Sequence, residues 1–215
     1  MRVDMHTHTL ISDGDLLPSE LARRAMIVGH DAIAITDHID FTNVERAVGE
    51  IIKSIDLCED YIQVIPGVEI THVPPSKIDR LVKRAISLGA RWVVVHGETV
   101  NEPVSPGTNA VAVENPDVDL LAHPGMITEK EVQTAIDNDV ILEITGRKGH
   151  NITNGHVATL CMRLGAKMLV NSDCHRPGDL MNEERAMTVA LGSGLTSQFA
   201  RKAVHDLPAE LIKRF

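Results

Sequence analysis

At 215 residues the chain has the length of one domain, residues 1–215, with room for a sizeable core; an α/β barrel of this length is ordinary. Hydrophobic residues make up 43% but aromatics only 2%, so Ile, Val, Leu and Ala must fill the interior, as in a barrel lined by branched aliphatic strands. A net charge of -9 without any Lys/Arg-rich run excludes a general nucleic-acid surface; no long duplex is expected as a partner, and a small anionic substrate would need metal ions or placed arginines.

Cys58, Cys161 and Cys174 lack paired spacing, which predicts no disulfide framework and a reducing compartment. No basic leader followed by an apolar core and no bilayer-length apolar run is present, so the expectation is a cytoplasmic protein without a membrane partner.

The chain opens on a predicted strand in which Asp4, His6 and His8 fall on alternate positions and so share one face, with Asp13 after a short polar turn. Two imidazoles held in that way are a ready pair of metal ligands. Leu17 to Val28 has helical spacing, with Pro18 near its start and Gly29 past its end. Ala32–Ile35 reads as a buried strand running into Thr36, Asp37 and His38, and a helix follows from about Asn43 to Cys58. Val64–Ile65 with Val68–Ile70 forms the third strand, which Pro66 and Gly67 are expected to bend or bulge.

A helix over Ser76–Leu88 ends at Gly89, and Trp92–Val95 leads into His96, Gly97 and Glu98. Residues 97–117 lack clear periodicity, and loops of that length in compact domains usually bind or cover something. The strand Val118–Ala122 runs into His123, and Thr128 caps a helix to Ile136. The strand Val140–Ile144 exits toward Arg147 and His150; a helix over Thr153–Leu164 precedes Met168–Val170, which runs into Asp173 and His175. From Leu180 the tail is two or three helices.

Seven strands alternating with helices predict a parallel barrel or sheet. In a βα barrel the strand-to-helix connections all lie at the carboxyl end of the strands, where active sites form. Those connections hold His6, His8, Asp13, His38, Glu69, His96, His123, Asp173 and His175. Structural histidines would scatter. Nine ligands are too many for one ion, and three ions with open positions for water and substrate fit the count. Asp37 and Glu98 are candidate partners for the imidazoles or else solvated loop acids. Asp4 sits deeper in its strand, Cys174 points away between Asp173 and His175, His72, His156 and His205 are read as packing or surface residues, and His30 is expected in a helix-to-strand turn on the opposite face.

The order His6-x-His8, Ser12-Asp13-Gly14, Thr36-Asp37-His38, Gly67-Val68-Glu69, His96-Gly97-Glu98, His123-Pro124-Gly125 and Ser172-Asp173-Cys174-His175 resembles the PHP (polymerase and histidinol phosphatase) family over nearly the whole chain. The resemblance implies a distorted (β/α)7 barrel with a trinuclear centre at the C-terminal ends of the strands. It implies one ion on His6, His8, Glu69 and Asp173, a second on Asp13, His38 and His175, and a third on Glu69, His96 and His123. Glu143 through Asn151 looks most like the stand-alone, histidinol-phosphatase-like branch.

The nitrogen and oxygen ligand set suits Zn, Mn or Fe. The expected activity is hydrolysis of a small phosphomonoester by a metal-activated water, with Glu69, Asp173 and His150 as candidate catalytic residues, His150 being the candidate leaving-group acid. Arg147 and Arg176, just beyond strand ends, are expected to grip the phosphate. The rival readings are a nuclease on nucleotides or short oligonucleotides, a carbon–nitrogen hydrolase on the same scaffold, and a metal-stabilised accessory domain.

Overall fold

The computed structural model describes residues 1–215. In chain order the elements are β1 (Arg2–Thr7), α1 (Pro18–Val28), β2 (His30–Ile35), β3 (His38–Ile39), α2 (Val44–Cys58), β4 (Gln63–Ile70), α3 (Pro75–Leu88), β5 (Trp92–His96) and α4 (Thr108–Glu114). They continue with β6 (Leu120–Ala122), α5 (Glu129–Asp137), β7 (Ile141–Thr145), α6 (Asn154–Leu164), β8 (Met168–Asn171), α7 (Glu183–Gly192), α8 (Ser197–Arg201) and α9 (Leu207–Leu211). All strand pairs are parallel, in the order β1-β2-β4-β5-β6-β7-β8, with β3 against β4. No helix is long and apolar enough to cross a membrane.

The expected seven strands form the path, and β3 is an eighth, two-residue addition. Pro66 and Gly67 do not break β4, which runs unbroken from Gln63 to Ile70; instead they mark a change of partner. Residues up to Pro66 pair with β2, and those from Gly67 pair with β5. Proline has no N–H to give to a ladder, and this is where the ladder on one side ends. The vacated edge is taken by β3, which sets His38 opposite Glu69. The stretch 97–117 is not wholly irregular either, since α4 lies within it.

Between β1 and β8 the ring is closed mostly by side chains. Met5 N–H donates to Asn171 Oδ1 at 3.0 Å, and Ser172 N–H reaches both Asp4 oxygens at 3.1 Å. Backbone pairing there is limited to the Thr7–Cys174 bridge, with His8 N–H on the Cys174 carbonyl at 2.8 Å. Asp4 also meets Arg2 at 3.0 Å in full burial, so it is a seam residue. His30, expected in a turn, is the buried first residue of β2, with Nδ1 on the Ala25 carbonyl at 3.1 Å.

Inside the barrel, strand alternation stacks layers. Val3, Met5, Ile65, Trp92, Val94, Leu120, Ile141 and Leu169 make an apolar floor, closed below by Leu207 and Leu211 of α9. Burying Trp92 alone removes roughly 200 Å² from water, worth about 5 kcal/mol. Two residues further along the same inward series come Gly67 then Glu69 on β4, His96 on β5, Glu143 on β7, and Asn171 then Asp173 beyond β8. Alternation therefore exchanges an apolar floor for a polar mouth. A larger apolar layer fills the space between sheet and helices.

Candidate metal centre

Glu69, fully buried, is the hub of the mouth. Its Oε2 lies 3.2 Å from His6 Nε2 and 3.4 Å from His8 Nε2, while Oε1 lies 3.5 Å from His123 Nε2. Asp173 closes the same space, with Oδ1 3.3 Å from His8 Nε2 and Oδ2 3.6 Å from His123 Nε2. To one side, Asp13 Oδ1 lies 3.2 Å from His175 Nε2 and 3.5 Å from His38 Nε2. Ligands bonded at about 2.1 Å to a tetrahedral ion stand about 3.4 Å apart, which is the spacing found here.

The contacts are close but not aimed at one another. His6 Nε2, both nitrogens of His8 and both oxygens of Glu69 are buried without any hydrogen-bond partner. Buried polar atoms are nearly always paired, so a convergent group of orphans marks a space shaped for a cation. His123 Nδ1 is also without a partner, but Nδ1 of four other rings is held. Nδ1 of His6 donates to Glu143 (2.8 Å), Nδ1 of His38 to the Thr71 hydroxyl (2.6 Å), Nδ1 of His96 to the Gly97 carbonyl and Nδ1 of His175 to the Asp173 carbonyl (both 3.1 Å). With Nδ1 donating, Nε2 is the ring atom each of these residues presents to the centre, and a cation bound there takes the place of any proton on it.

Electrostatics agree with this geometry. Burial would raise the Glu69 carboxyl, but His6 and His38 hold it well below the usual carboxylate range; Asp173 is held low against burial chiefly by His6. Burial and the neighbouring His38 push His8 down to about 3, so it enters as a neutral ligand. His175 is lifted, against burial, to about 10 by Asp13 and Asp173. Two of the converging residues, His123 (φ 27) and Asp173 (φ 51), sit in the left-handed region that L-residues avoid. Strain of that kind costs about 1–3 kcal/mol per residue and persists where the surroundings enforce it, often at functional sites.

Local chemistry explains the loop motifs. Gly14 is required because a Cβ there would lie 2.6 Å from the His8 carbonyl oxygen and 2.8 Å from Thr9 N. Asp37 touches no imidazole; it accepts from Thr9 N–H and the Thr9 hydroxyl (2.8 and 2.7 Å) and from the Ser12 hydroxyl (2.6 Å), and so pins the loop that carries Asp13. Glu98 likewise accepts from Gly107 N–H and Asn109 N–H, both at 2.9 Å, and pins the base of the following loop. Cys174 is buried and donates to the Arg176 carbonyl at 3.2 Å, away from the cluster.

Three residues escaped the sequence reading. Glu143, buried within β7, orients His6, accepts His123 N–H at 3.0 Å and takes Asn171 Nδ2 at 3.0 Å. Its signal was present as a lone carboxylate inside an apolar strand, the same signal as Glu69. His72, assigned to packing or the surface, instead reaches the rim, where its Nε2 lies 3.1 Å from Glu102 Oε2. Glu102, on the loop after β5, had no sequence signal.

His150 is buried, with Nε2 3.3 Å from Glu102 Oε1. Burial and the charge of His123 push it down to about 4, so it is unprotonated at neutral pH, which argues against the expected role as proton donor. Arg147 and Arg176 do face one cleft of about 450 Å³, together with Lys148, Asp13, Asp15, His175 and Asp179. Arg147 lies 3.6 Å from Asp179 and Arg176 3.3 Å from Asp15, so both guanidiniums are half-neutralised at the cleft wall.

A parallel barrel with carboxylates and imidazoles gathered at the C-terminal ends of its strands defines the class of metal-dependent barrel hydrolases and their relatives. A family model described as PHP domain matches residues 4–96, which carry six of the nine converging side chains. An uncharacterized protein of Methanocaldococcus jannaschii is 48% identical over 217 residues, covering 100% of both chains. A probable phosphatase of Clostridium botulinum is 27% identical over 197 residues, 80% of this chain and 78% of that one. Among solved structures, a chain of an archaeal ribonuclease P determined with mature tRNA superposes with a TM-score of 0.74 at 17% identity, over 100% of this chain and 90% of the other. The chain belongs to the PHP family, a family of metal-dependent phosphoesterases.

Proposed function

We propose that this protein is a hydrolase of small phosphomonoesters, working at three cation positions in the mouth of the barrel. The observation that carries the reading is the convergence of nine side chains from distant parts of the sequence into clusters with ion-sized spacing. His6, His8, Glu69 and Asp173 would hold one ion; Asp13, His38 and His175 a second; Glu69, His96 and His123 a third, with Glu69 common to two. Zn, Mn or Fe(II) fits these donors. Divalent cations bound there supply an activated water and neutralise charge developing on phosphate.

The chain's own groups do the rest. Glu143 and the carbonyls of Gly97 and Asp173 fix imidazole tautomers. Arg147, with Lys148 and Arg176, lines the cleft beside Asp13 and His175, where the planar guanidinium forks meet phosphate oxygens as the substrate displaces Asp179 and Asp15 from them. A second reading, a nuclease acting on nucleotides or short oligonucleotides, draws on the same cleft, where Arg147, Lys148 and Arg176 could meet more than one phosphate.

Metal analysis of the purified protein followed by a phosphate-release screen tests the proposal. The panel holds histidinol phosphate, mononucleotides, short oligonucleotides and amides, each with Zn, Mn and Fe(II). Phosphate release from small esters is expected. Bound metal with cleavage of amides alone, or no bound metal, would overturn it.

A further inference from the structure

His72, His96 and Glu102 form a cluster of metal-ligating atoms separate from the buried groups except for the shared His96. Glu102 Oε2 lies 3.1 Å from His72 Nε2 and 3.3 Å from His96 Nε2, again close to the spacing of ligands around one tetrahedral ion. Because Nδ1 of His96 is committed to the Gly97 carbonyl, Nε2 is its available ligand atom, and it borders both this cluster and the inner one of Glu69 and His123.

The two clusters differ in access. Glu69 and His123 are buried, whereas His72 is 42% and Glu102 38% exposed. The rim residues are also deliberately placed. His72, two residues past the end of β4, adopts φ 52, a left-handed backbone that points to enforced positioning. Glu102 projects from a loop whose base is clamped by Glu98 and by Asn109, which donates from Nδ2 to the Pro124 carbonyl at 2.8 Å.

We infer that His72, His96 and Glu102 form an outer cation position at the rim, from which a divalent ion passes to the inner Glu69–His96–His123 position through the shared His96 ligand. This rests on the cation-binding reading given above. The outer ligands hold the loosest and most exchangeable ion; they are dispensable for the ions held by His6, His8, Asp173, Asp13, His38 and His175.

Mn²⁺ binding to the full chain, followed by equilibrium dialysis and by the electron paramagnetic resonance signal of free Mn²⁺, tests this with wild type, Glu102→Gln and His72→Asn. Both substitutions lie at the exposed rim, and circular dichroism checks that the variants fold. The expected result is that the loosest Mn²⁺ equivalent weakens in both variants on the order of tenfold or more, as for loss of groups that support a metal site, while the tighter equivalents keep their affinity and the inner ion, cut off from the outer position, exchanges more slowly. Wild-type binding in both variants would overturn the outer position, and so would loss of the tight equivalents along with the loose one. If wild type itself binds no Mn²⁺, Zn²⁺ or Fe²⁺, the proposed function fails first; if it binds normally and the variants match it, only the outer position fails.

Discussion

Replacing Glu69 with Gln keeps side-chain volume but removes the charge that two of the proposed cation positions share. An ion present at 100 times its dissociation constant contributes about 2.7 kcal/mol to stability, so three positions taken as additive contribute about 8 kcal/mol. For a chain of this size 1 kcal/mol moves the melting temperature by about 2–4 °C, so restoring Mn²⁺ or Zn²⁺ to chelator-treated wild type raises Tm by about 16–32 °C. In Glu69→Gln, only the Asp13–His38–His175 position keeps its ligands, and the gain falls to about 5–11 °C. Differential scanning fluorimetry across a metal titration measures both. A wild-type gain below about 2 °C, or equal gains in the two proteins, would refute the argument that Glu69 is the hub.

Arg147→Ala is expected to lower kcat/KM for phosphate esters about 10- to 100-fold, since a hydrogen bond to a charged group is worth about 1.5–3 kcal/mol, with the more exposed Arg176→Ala at the lower end. Steady-state kinetics with an unchanged kcat/KM would remove that residue from the grip. Glu143→Gln leaves His6 without its carboxylate acceptor and should weaken metal affinity about 10- to 100-fold in chelator competition; wild-type affinity would show that Glu143 does not orient a ligand. Asp119 is raised to about 6 by burial, although Val93 N–H donates to it at 2.8 Å. Between about pH 4 and 6 the folded chain holds a proton that the unfolded chain has released, so this carboxyl costs stability progressively as pH rises, up to about 3 kcal/mol above pH 6. Asp119→Asn should therefore raise Tm at pH 8 and change it little near pH 4, and equal effects at the two pH values would contradict the shift.

Much of the barrel was legible because each βα unit writes its strand as an apolar run and its exit as a polar residue, as in Trp92–Val95 before His96. Six histidines could be sorted to one mouth on that basis alone. What alternation hides is local irregularity. Asp4 belongs to the histidine face by counting, yet a register shift between Asp4 and Thr7 leaves it on the seam with Arg2 and Ser172. The change of strand partner at Pro66 depends on which neighbour lies beside each half of β4, a tertiary fact that no local pattern encodes. His72 and Glu102 owe their places to loop paths fixed by distant anchors such as Glu98 and Asn109, so they could be found only in three dimensions. Glu143 has a readable signal, a lone carboxylate in an apolar run, but it lies within the body of β7, where the rule that strand ends carry the ligands does not reach.

The seam between the first and last strands has a consequence for how the protein is made. His6 and His8 leave the ribosome well before the partners that complete their site, since Asp173 and His175 are synthesised more than 160 residues later, and the ring is locked only when Asn171 and Ser172 reach Met5 and Asp4. Until then the early histidines have no finished pocket to offer. Acquisition of cations is thus deferred until β8 has been made, and a truncated chain lacking that strand and the residues after it would lack the completed centre as well.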